Sequence, residues 1–272
     1  MQVVVTRPAQ QAGKWVSALR AAGLQVLSLP LIEIAPAPDP APLHAAWADL
    51  AQWHSLMFVS ANAVAHFFAL RPSEGAQWPR QTRCWATGPG TVSALQHAGV
   101  PPHLIDAPDP QGAQFDSEAL WAVVQGQLGP HSRALVVRGS SPEEGAEEPA
   151  RPGGKDGPPD PGQGRDWLAG QLRASGVAVT LVVAYCRRAP RLDAAALAQL
   201  QRAASDGSVW LFSSSEAVHH LLAVAPGQHW AQARALATHP RIALAAQAAG
   251  FGVVATSRPA MVDLLASIES MA

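Results

Sequence analysis

Short apolar runs alternate with amphipathic stretches along most of this chain, and the alternation predicts strands and helices in turn. Val3–Thr6 is typical of a buried parallel strand. Ala9–Ala22 carries its large apolar residues on one face, which predicts a helix that ends at Gly23. Val26–Ile34 predicts a second strand. The same alternation continues along the chain and favours parallel sheets covered by helices on both faces.

Two copies of one α/β pattern lie about 150 residues apart. Alanine, threonine, proline, glutamine and glycine recur in step in Trp85–Val100 and Leu236–Phe251. Further matching pairs are Leu56–Val64 with Trp210–Val218, and Leu19–Val26 with Leu172–Val179. The glycines, prolines and serines keep the same offsets, so the shared alanine content of the helices does not explain the match. The half-units occur in the order first, second, first, second, and a duplicated unit predicts two lobes with a ligand cleft between them.

Three segments interrupt the alternation. Four prolines in 35–42 predict a stiff connector, and 187–192 predicts a second one. The stretch 140–163 is rich in Pro, Gly and Glu and has almost no apolar residues. It is predicted to be a disordered insert, because it cannot bury enough surface to order itself.

Composition and charge narrow the classes of function. The chain of 272 residues has room for two domains, and a net charge of −1 argues against a general nucleic-acid binder. Cys84 and Cys186 both lie in apolar runs, so a disulfide or zinc site is not expected. No apolar run reaches the roughly 18–20 residues of a membrane span, and the N-terminus does not resemble a signal peptide. We therefore expect a cytoplasmic protein that makes no membrane contact.

Polar residues follow the predicted strands directly. They are Thr6-Arg7, Ser60–Asn62, Gly88–Thr91, Arg138-Gly139, Ser213–Ser215, His239–Arg241 and Ser257-Arg258. The carboxyl ends of parallel strands face the ligand crevice, where helix N-termini and arginines favour anions. Each serine, threonine or asparagine taken alone is as well explained as a helix cap. Their repeated placement favours a cleft for an acidic small molecule.

Motifs for several other chemistries are missing from the sequence. It contains neither GxGxxG nor GxxxxGK[ST], no HExxH metal pair and no GxSxG elbow, so neither a metal nor a cofactor is expected. Tyr185 is the only tyrosine and ends an apolar strand beside two arginines. Such a phenol can donate a proton or a hydrogen bond. Its position alone favours an amphipathic anchor at a domain edge.

An ordered set of segments resembles the uroporphyrinogen-III synthase family. The segments are VVVTRP from Val3, LPLI from Leu29, FVSANAV from Phe58, TGPGT from Thr87, RG at Arg138 with GRDWL from Gly164, AYCRR from Ala184, LFSSSEAV from Leu211 and HPRIA from His239. The resemblance covers nearly the whole chain except the insert. It implies two similar flavodoxin-like α/β domains, 1–35 with 188–272 and 43–184, with the chain crossing over and back.

The resemblance also implies a reaction. Enzymes of this family cyclise hydroxymethylbilane, a linear tetrapyrrole with eight carboxylates, to uroporphyrinogen III in the cleft between the domains. The substrate loses water to give an azafulvene, and ring D is inverted through a spiro intermediate. Without the enzyme the bilane closes to the type I isomer. The implied protein is a monomer that uses no cofactor and is functionally coupled to the upstream bilane-forming deaminase.

The family pattern assigns roles to matched positions. Tyr185 takes the place of the tyrosine proposed to assist departure of the hydroxyl group. The candidates for binding the substrate carboxylates are Arg7, Ser60, Asn62, Thr91, Arg138, Arg165, Arg188, Ser213, Ser214, Ser215 and Arg241. The segment His239–Ile242 departs from the family pattern because the threonines expected there are absent. Arg138 and Arg165, close together in the pattern, are here separated by the insert.

Two alternatives belong to other classes of protein. One is a non-catalytic two-lobed binding protein for an acidic small molecule. The other is a flavodoxin-like FMN or regulatory domain, against which the missing phosphate loop and the lack of an Asp-rich phosphoacceptor site count.

Overall fold

A computed structural model describes residues 1–72, 78–109, 116–141 and 164–271, with only the backbone for 164–166. From the N-terminus the elements are β1 (Gln2–Val5), α1 (Ala9–Ala21), β2 (Gln25–Ser28), β3 (Glu33–Pro36), α2 (Ala41–Ala48), β4 (Ser55–Phe58), α3 (Ala61–Phe68), β5 (Arg83–Ala86), α4 (Pro89–His97), β6 (Ile105–Asp106), α5 (Ser117–Val124) and β7 (Arg133–Ser140). They continue with α6 (Gly164–Ala174), β8 (Ala178–Arg188), α7 (Ala194–Ala203), β9 (Val209–Phe212), α8 (Ser215–Val224), β10 (Arg234–Ala237), α9 (Pro240–Ala248), β11 (Val253–Thr256) and α10 (Met261–Ser270). Most of the predicted insert, 142–163, lies outside the described residues.

The chain divides into two compact units. One contains Met1–Ile34 and Arg187–Ala272, and the other contains Ala35–Cys186. Each unit has its own sheet, with the strand order β11-β10-β9-β1-β2 in the first and β3-β8-β7-β4-β5-β6 in the second. The paired strands β1, β2 and β9–β11 of the first sheet are parallel, as are β4–β8 of the second.

The two sheets repeat one topology. The strands β11, β10, β9, β1 and β2 occupy the places that β6, β5, β4, β7 and β8 occupy in the other sheet. The unit β1-α1-β2 therefore matches β7-α6-β8, and β9-α8-β10-α9-β11 matches β4-α3-β5-α4-β6. This confirms the prediction of two similar α/β domains with parallel sheets, built from half-units in alternating order.

Helices cover both faces of the first sheet. Val3 and Val5 pack on one face with α1 and α10, whereas Val4 packs on the other face with α7, α8 and α9. Successive side chains of a strand point to opposite faces, so a strand buried on both faces needs a continuous apolar run. The sequence VVV in β1 meets that requirement, and all three valines are fully buried.

The predicted strand Val26–Ile34 is wrong as a single element. The structure has two strands there, β2 in the first sheet and β3 at the edge of the second. Between them the Leu29 and Leu31 amides donate to the carbonyls of Val5 and Thr6, while Pro30 has no N–H to donate. The hydrogen bonds to the end of β1 thus continue past the proline as far as Leu31, and the chain then passes to β3 in the second sheet.

The expected connectors are more regular than predicted. β3 extends into the first connector as far as Pro36, and α2 begins directly after Pro40. The second connector starts inside β8, which continues to Arg188. The Ala37 amide donates to the carbonyl of Ala184 at 3.2 Å, so the strands beside the connectors are hydrogen-bonded to each other. No helix in the described part of the chain is both long and apolar enough to cross a membrane.

Gly252 and Gly13 give opposite predictions for glycine-to-alanine substitution. A Cβ at Gly252 would overlap the carbonyl oxygen of Ala231 and lie 2.9 Å from its carbonyl carbon, whereas a Cβ at Gly13 of α1 meets nothing within 4 Å. We expect Gly252→Ala to lower the free energy of unfolding by about 1–3 kcal/mol through overpacking. Gly13→Ala should raise it by roughly 0.5–1 kcal/mol because alanine favours a helix.

Urea unfolding of the two variants measures both effects. The exposed Gly13 is the matched control because the change in the side chain is identical. Equal effects of the two substitutions would contradict the close approach at Gly252.

Candidate functional site

The first sheet gathers one group of predicted residues at its carboxyl edge. Arg7 follows β1, Ser213–Ser215 follow β9, and Arg241 lies in the first turn of α9 after β10. These three strands are neighbours in the sheet and run parallel. Their carboxyl ends therefore lie at one edge, as the sequence analysis predicted.

The second sheet gathers another group at its own carboxyl edge. Ser60 and Asn62 follow β4, Thr91 follows β5, and Arg138 and Tyr185 lie near the ends of β7 and β8. These strands are adjacent and parallel. Two members of this group are buried, Thr91 with 6% of its surface exposed and Tyr185 with 4%.

Tyr185 makes specific contacts at this edge. Its hydroxyl oxygen lies 3.1 Å from Oγ of Ser60. Its ring stacks on His66 with centroids 5.8 Å apart and an angle of 24° between the planes. Only 4% of the residue is exposed, so the phenol is held by protein on most sides.

Gly139 makes this position of the tyrosine possible. It is the register partner of Tyr185 in the neighbouring strand β7, next to a register shift between Arg138 and Gly139. A Cβ at Gly139 would lie 2.6 Å from Cε2 and 2.8 Å from Cε1 of Tyr185. Any other residue would displace the ring, so the glycine is required for close approach.

Ser60 also caps a helix, as the sequence predicted. Its Oγ accepts a hydrogen bond of 3.2 Å from the Ala63 amide and so caps α3. Its residue type and position predicted a carboxylate ligand or a cap, but not the contact with Tyr185. His66, which no motif had marked, lies one turn further along α3. Burial lowers the pKa of His66, so the ring is neutral at neutral pH.

Arg7 is a desolvated cation. Its guanidinium carbon lies 4.5 Å from the centroid of the Trp15 ring, and its Nη2 donates to Oε1 of Gln11 at 3.2 Å. Its Nε is buried without a hydrogen-bond partner, and no carboxylate of the described residues pairs with it. Burial lowers the pKa of Arg7 from its ordinary value, yet arginine stays charged at neutral pH.

The other predicted arginines have different surroundings. Arg188 pairs with Glu33 at 2.6 Å and holds the pKa of that carboxyl below its usual range. Arg138 donates from Nε to the carbonyl of Gly139 at 3.2 Å. Arg241 is exposed on α9. The side chain of Arg165 lies outside the description, and its backbone is in the first turn of α6.

Four of the helices that follow strands at these edges begin without a side-chain cap, namely α1, α4, α8 and α10. The end of α4 follows Gly88, and at α8 the N-cap residue Ser214 does not use its side chain for capping. Helix N-termini with unpaired N–H groups attract anions. The capping role predicted as the alternative for these serines is therefore not seen at Ser214.

The departure at His239–Ile242 has a structural consequence. His239 occupies the N-cap position of α9, and its Nδ1 accepts a hydrogen bond of 3.2 Å from the Arg241 amide. The equivalent residue in the other unit, Gly88, has no side chain and leaves its helix end open. The side chain of His239 thus caps the helix end that the family pattern leaves to threonines.

A cavity of about 610 Å³ opens at the carboxyl ends of β10 and β11. Its lining includes Thr238, His239, Ser257 and Arg258, which follow those strands. Arg258 pairs with Asp263 at 3.4 Å. The sequence marked His239, Ser257 and Arg258 as polar strand ends but not as site candidates. Their place after adjacent parallel strands was the signal that could have found them.

No group of three or more His, Cys, Asp or Glu side chains suited to a metal ion occurs in the described ranges. The residues gathered at both edges supply hydroxyl groups, guanidinium groups and helix N–H groups. This set recognises carboxylates and can supply one phenolic proton.

Comparison with known proteins identifies relatives along nearly the whole chain. The family model described as uroporphyrinogen-III synthase HemD matches residues 13–148 and 159–266. The uroporphyrinogen-III synthase of Salmonella typhimurium is 28% identical over 259 residues, which cover 92% of each chain. That of Chlorobaculum parvum is 35% identical over 115 residues, 39% of this chain and 44% of the relative.

A solved structure shows the same fold. The uroporphyrinogen-III synthetase of Helicobacter pylori superimposes with a TM-score of 0.55 at 16% identity, covering all of both chains. Apart from Arg7, the segments that the family model matches contain the residues described at both sheet edges. On this match, the chain belongs to the uroporphyrinogen-III synthase family.

Proposed function

We propose that this chain is a uroporphyrinogen-III synthase, which cyclises hydroxymethylbilane with loss of water and inversion of ring D. The observation that carries the proposal is the family match over residues 13–148 and 159–266. The two sheet edges support it, because each presents donors suited to carboxylates and one of them holds a tyrosine.

Tyr185 is proposed to assist the first step. The C–O bond of the terminal hydroxymethyl group breaks, and its electron pair leaves with the oxygen. The phenol of Tyr185 donates a proton to that oxygen, so the group departs as water. The pyrrole nitrogen supplies electrons to the carbon left behind, and an azafulvenium cation forms beside the phenolate. The proton lost when the macrocycle closes restores the phenol. Acid assistance of this kind contributes about 10²–10⁴-fold in rate.

Arg7 and the open ends of α4 and α8 are proposed to bind substrate carboxylates. Arg7 is charged and desolvated, and no carboxylate of the described residues neutralises it. An anionic ligand would therefore find a countercharge that has already lost part of its hydration. Asn62, Thr91, Arg138, Arg165, Ser213, Ser214, Ser215 and Arg241 remain proposed ligands. Arg188 is a weaker candidate because Glu33 already occupies its guanidinium.

The cellular setting is also a proposal. We propose a cytoplasmic monomer in which the two compact units are the two domains of the enzyme. Because the bilane closes on its own to the wrong isomer, the enzyme is expected to take it from the upstream deaminase soon after its release. No cofactor is proposed for this reaction.

The reaction product tests the proposed function directly. Hydroxymethylbilane is generated by a bilane-forming deaminase in the presence of this protein, and the oxidised uroporphyrin isomers are separated by chromatography. We expect mostly the type III isomer, because ring inversion requires an enzyme. Type I alone, at the ratio found without the protein, would favour the alternative of a non-catalytic binding protein.

Tyr185→Phe tests the acid role. The phenylalanine keeps the ring that stacks on His66 and removes only the hydroxyl. We expect kcat to fall by about 100-fold or more with a near-normal KM, since general acid assistance acts in the transition state. Unchanged kcat in a variant with an unchanged melting temperature would remove the acid role.

Arg7→Gln tests carboxylate binding. Loss of a hydrogen bond to a charged group costs roughly 1.5–3 kcal/mol, so kcat/KM should fall by about ten- to a hundredfold. Arg20→Gln is the matched control, because it removes the same charge from the other end of α1 at an exposed position. Similar losses in both variants would mean that only net charge matters and would contradict a specific role for Arg7.

A further inference from the structure

The hydroxyl of Tyr185 reaches its partner across an intervening strand. Tyr185 lies in β8 and Ser60 follows β4, and β7 lies between these strands in the sheet. The residue of β7 in register with Tyr185 is Gly139. With no side chain at that point, the ring lies over the backbone of β7, and the two hydroxyl oxygens come within 3.1 Å.

The bonding of Ser60 favours one direction for this hydrogen bond. A serine hydroxyl has one hydrogen to donate and two lone pairs that can accept. The Ala63 amide at the N-terminus of α3 already donates to Ser60 Oγ at 3.2 Å. Accepting from the positive end of a helix polarises the Ser60 hydroxyl and makes it a better donor. If Ser60 donates to the phenolic oxygen, the Tyr185 hydrogen is left free for a different acceptor.

His66 holds the ring from another side. It lies on α3, the helix that Ser60 caps, so both contacts with Tyr185 come from one rigid element. Because burial lowers the pKa of His66, the stacked ring carries no charge at neutral pH. The neutral ring of His66 thus holds the plane of the Tyr185 ring, and the neutral hydroxyl of Ser60 contacts its oxygen.

We propose that Ser60, Gly139 and His66 are positioning residues for Tyr185, and that Ser60 donates to its phenolic oxygen so that the Tyr185 hydrogen points at the leaving oxygen of the substrate. This inference rests on the proposed function and reassigns Ser60, which the sequence suggested as a carboxylate ligand. Ser60 would act through Tyr185 without binding the substrate.

The single tyrosine allows a readout that does not depend on activity. In protein grown with tyrosine labelled with ¹³C at Cζ, Tyr185 gives the only labelled resonance, because the chain contains one tyrosine. We expect Ser60→Ala to shift this resonance, since the hydrogen bond to the phenolic oxygen is lost. Ser60→Thr, which keeps both the cap and the hydroxyl, should restore it.

Asp116→Ala is the control for a merely structural role. Asp116 caps α5 in the same unit by accepting from the Ala119 amide at 2.9 Å. Its loss should cost a similar amount of stability and leave both the resonance and kcat unchanged. An equal shift in this variant would mean that loss of a helix cap alone moves the resonance, and it would overturn the proposal.

Kinetics of the full chain then separate positioning from substrate binding. Ser60→Ala should lower kcat about five- to tenfold with little change in KM, as expected for one hydrogen bond. In the Tyr185→Phe background the same substitution should have no further effect, because Ser60 acts through the missing hydroxyl. A higher KM, or the same loss in both backgrounds, would show that Ser60 binds the substrate and would overturn the proposal.

Gly139→Ala tests the gap in β7 and should also shift the resonance and lower kcat. If this variant does not fold, Ser60→Ala and Ser60→Thr still decide the outcome.

An unmoved resonance in Ser60→Ala overturns the positioning contact, whether or not turnover changes. A shifted resonance with normal turnover overturns its link to catalysis. Type I product from the unaltered protein would instead defeat the proposed function, and the resonance would still test the contact.

Discussion

Parallel strand pairing is the constraint on which the arrangement of both sheets depends. A parallel strand brings its carboxyl end to the same edge as that of its neighbour, and the helix that follows begins at that edge. Arg7 and Ser213–Ser215, about 200 residues apart in sequence, follow adjacent strands for this reason. The same rule places Ser60 and Tyr185 at one edge of the second sheet. The chemistry of this protein therefore follows from strand order.

The duplicated topology explains why the site residues come from both halves of the chain. Each sheet combines a βαβ segment with a βαβαβ segment. The βαβ segment comes first along the chain in the first sheet, whereas the βαβαβ segment comes first in the second sheet. The first sheet is buried on two faces, as the continuous apolar run Val3–Val5 requires. Copies of one element then diverge at their ends. Gly88 leaves α4 open, whereas His239 caps α9.

Local sequence predicted what depends on local chemistry. The valines of β1, the cap at Ser60 and the repeat between Trp85–Val100 and Leu236–Phe251 were all visible, because periodicity and turn residues determine them. The split of Val26–Ile34 was less visible. Its apolar residues suit one long strand, and its division into β2 and β3 depends on the strand order of the two sheets.

The contact between Ser60 and Tyr185 could not be predicted from the pattern. It joins residues 125 positions apart and requires β7 to lie between their strands with Gly139 in register. His66 was missed for the same reason, because the position of a histidine on a helix does not indicate that it stacks on a tyrosine of a distant strand. The family resemblance marked Tyr185, whereas the groups that orient it emerged only from the folded sheet.

The arginines differ in whether a carboxylate of the protein pairs with them. Arg188 has Glu33 and Arg83 has Asp106, so their charges are used within the fold. Arg7 has an aromatic ring, an amide oxygen and no carboxylate among the described residues. A partly buried cation without an anion carries a desolvation cost that an acidic ligand removes on binding. That cost lies at the edge where β1 and β9 end, and it is the physical basis of the proposed role of Arg7 in binding a substrate carboxylate.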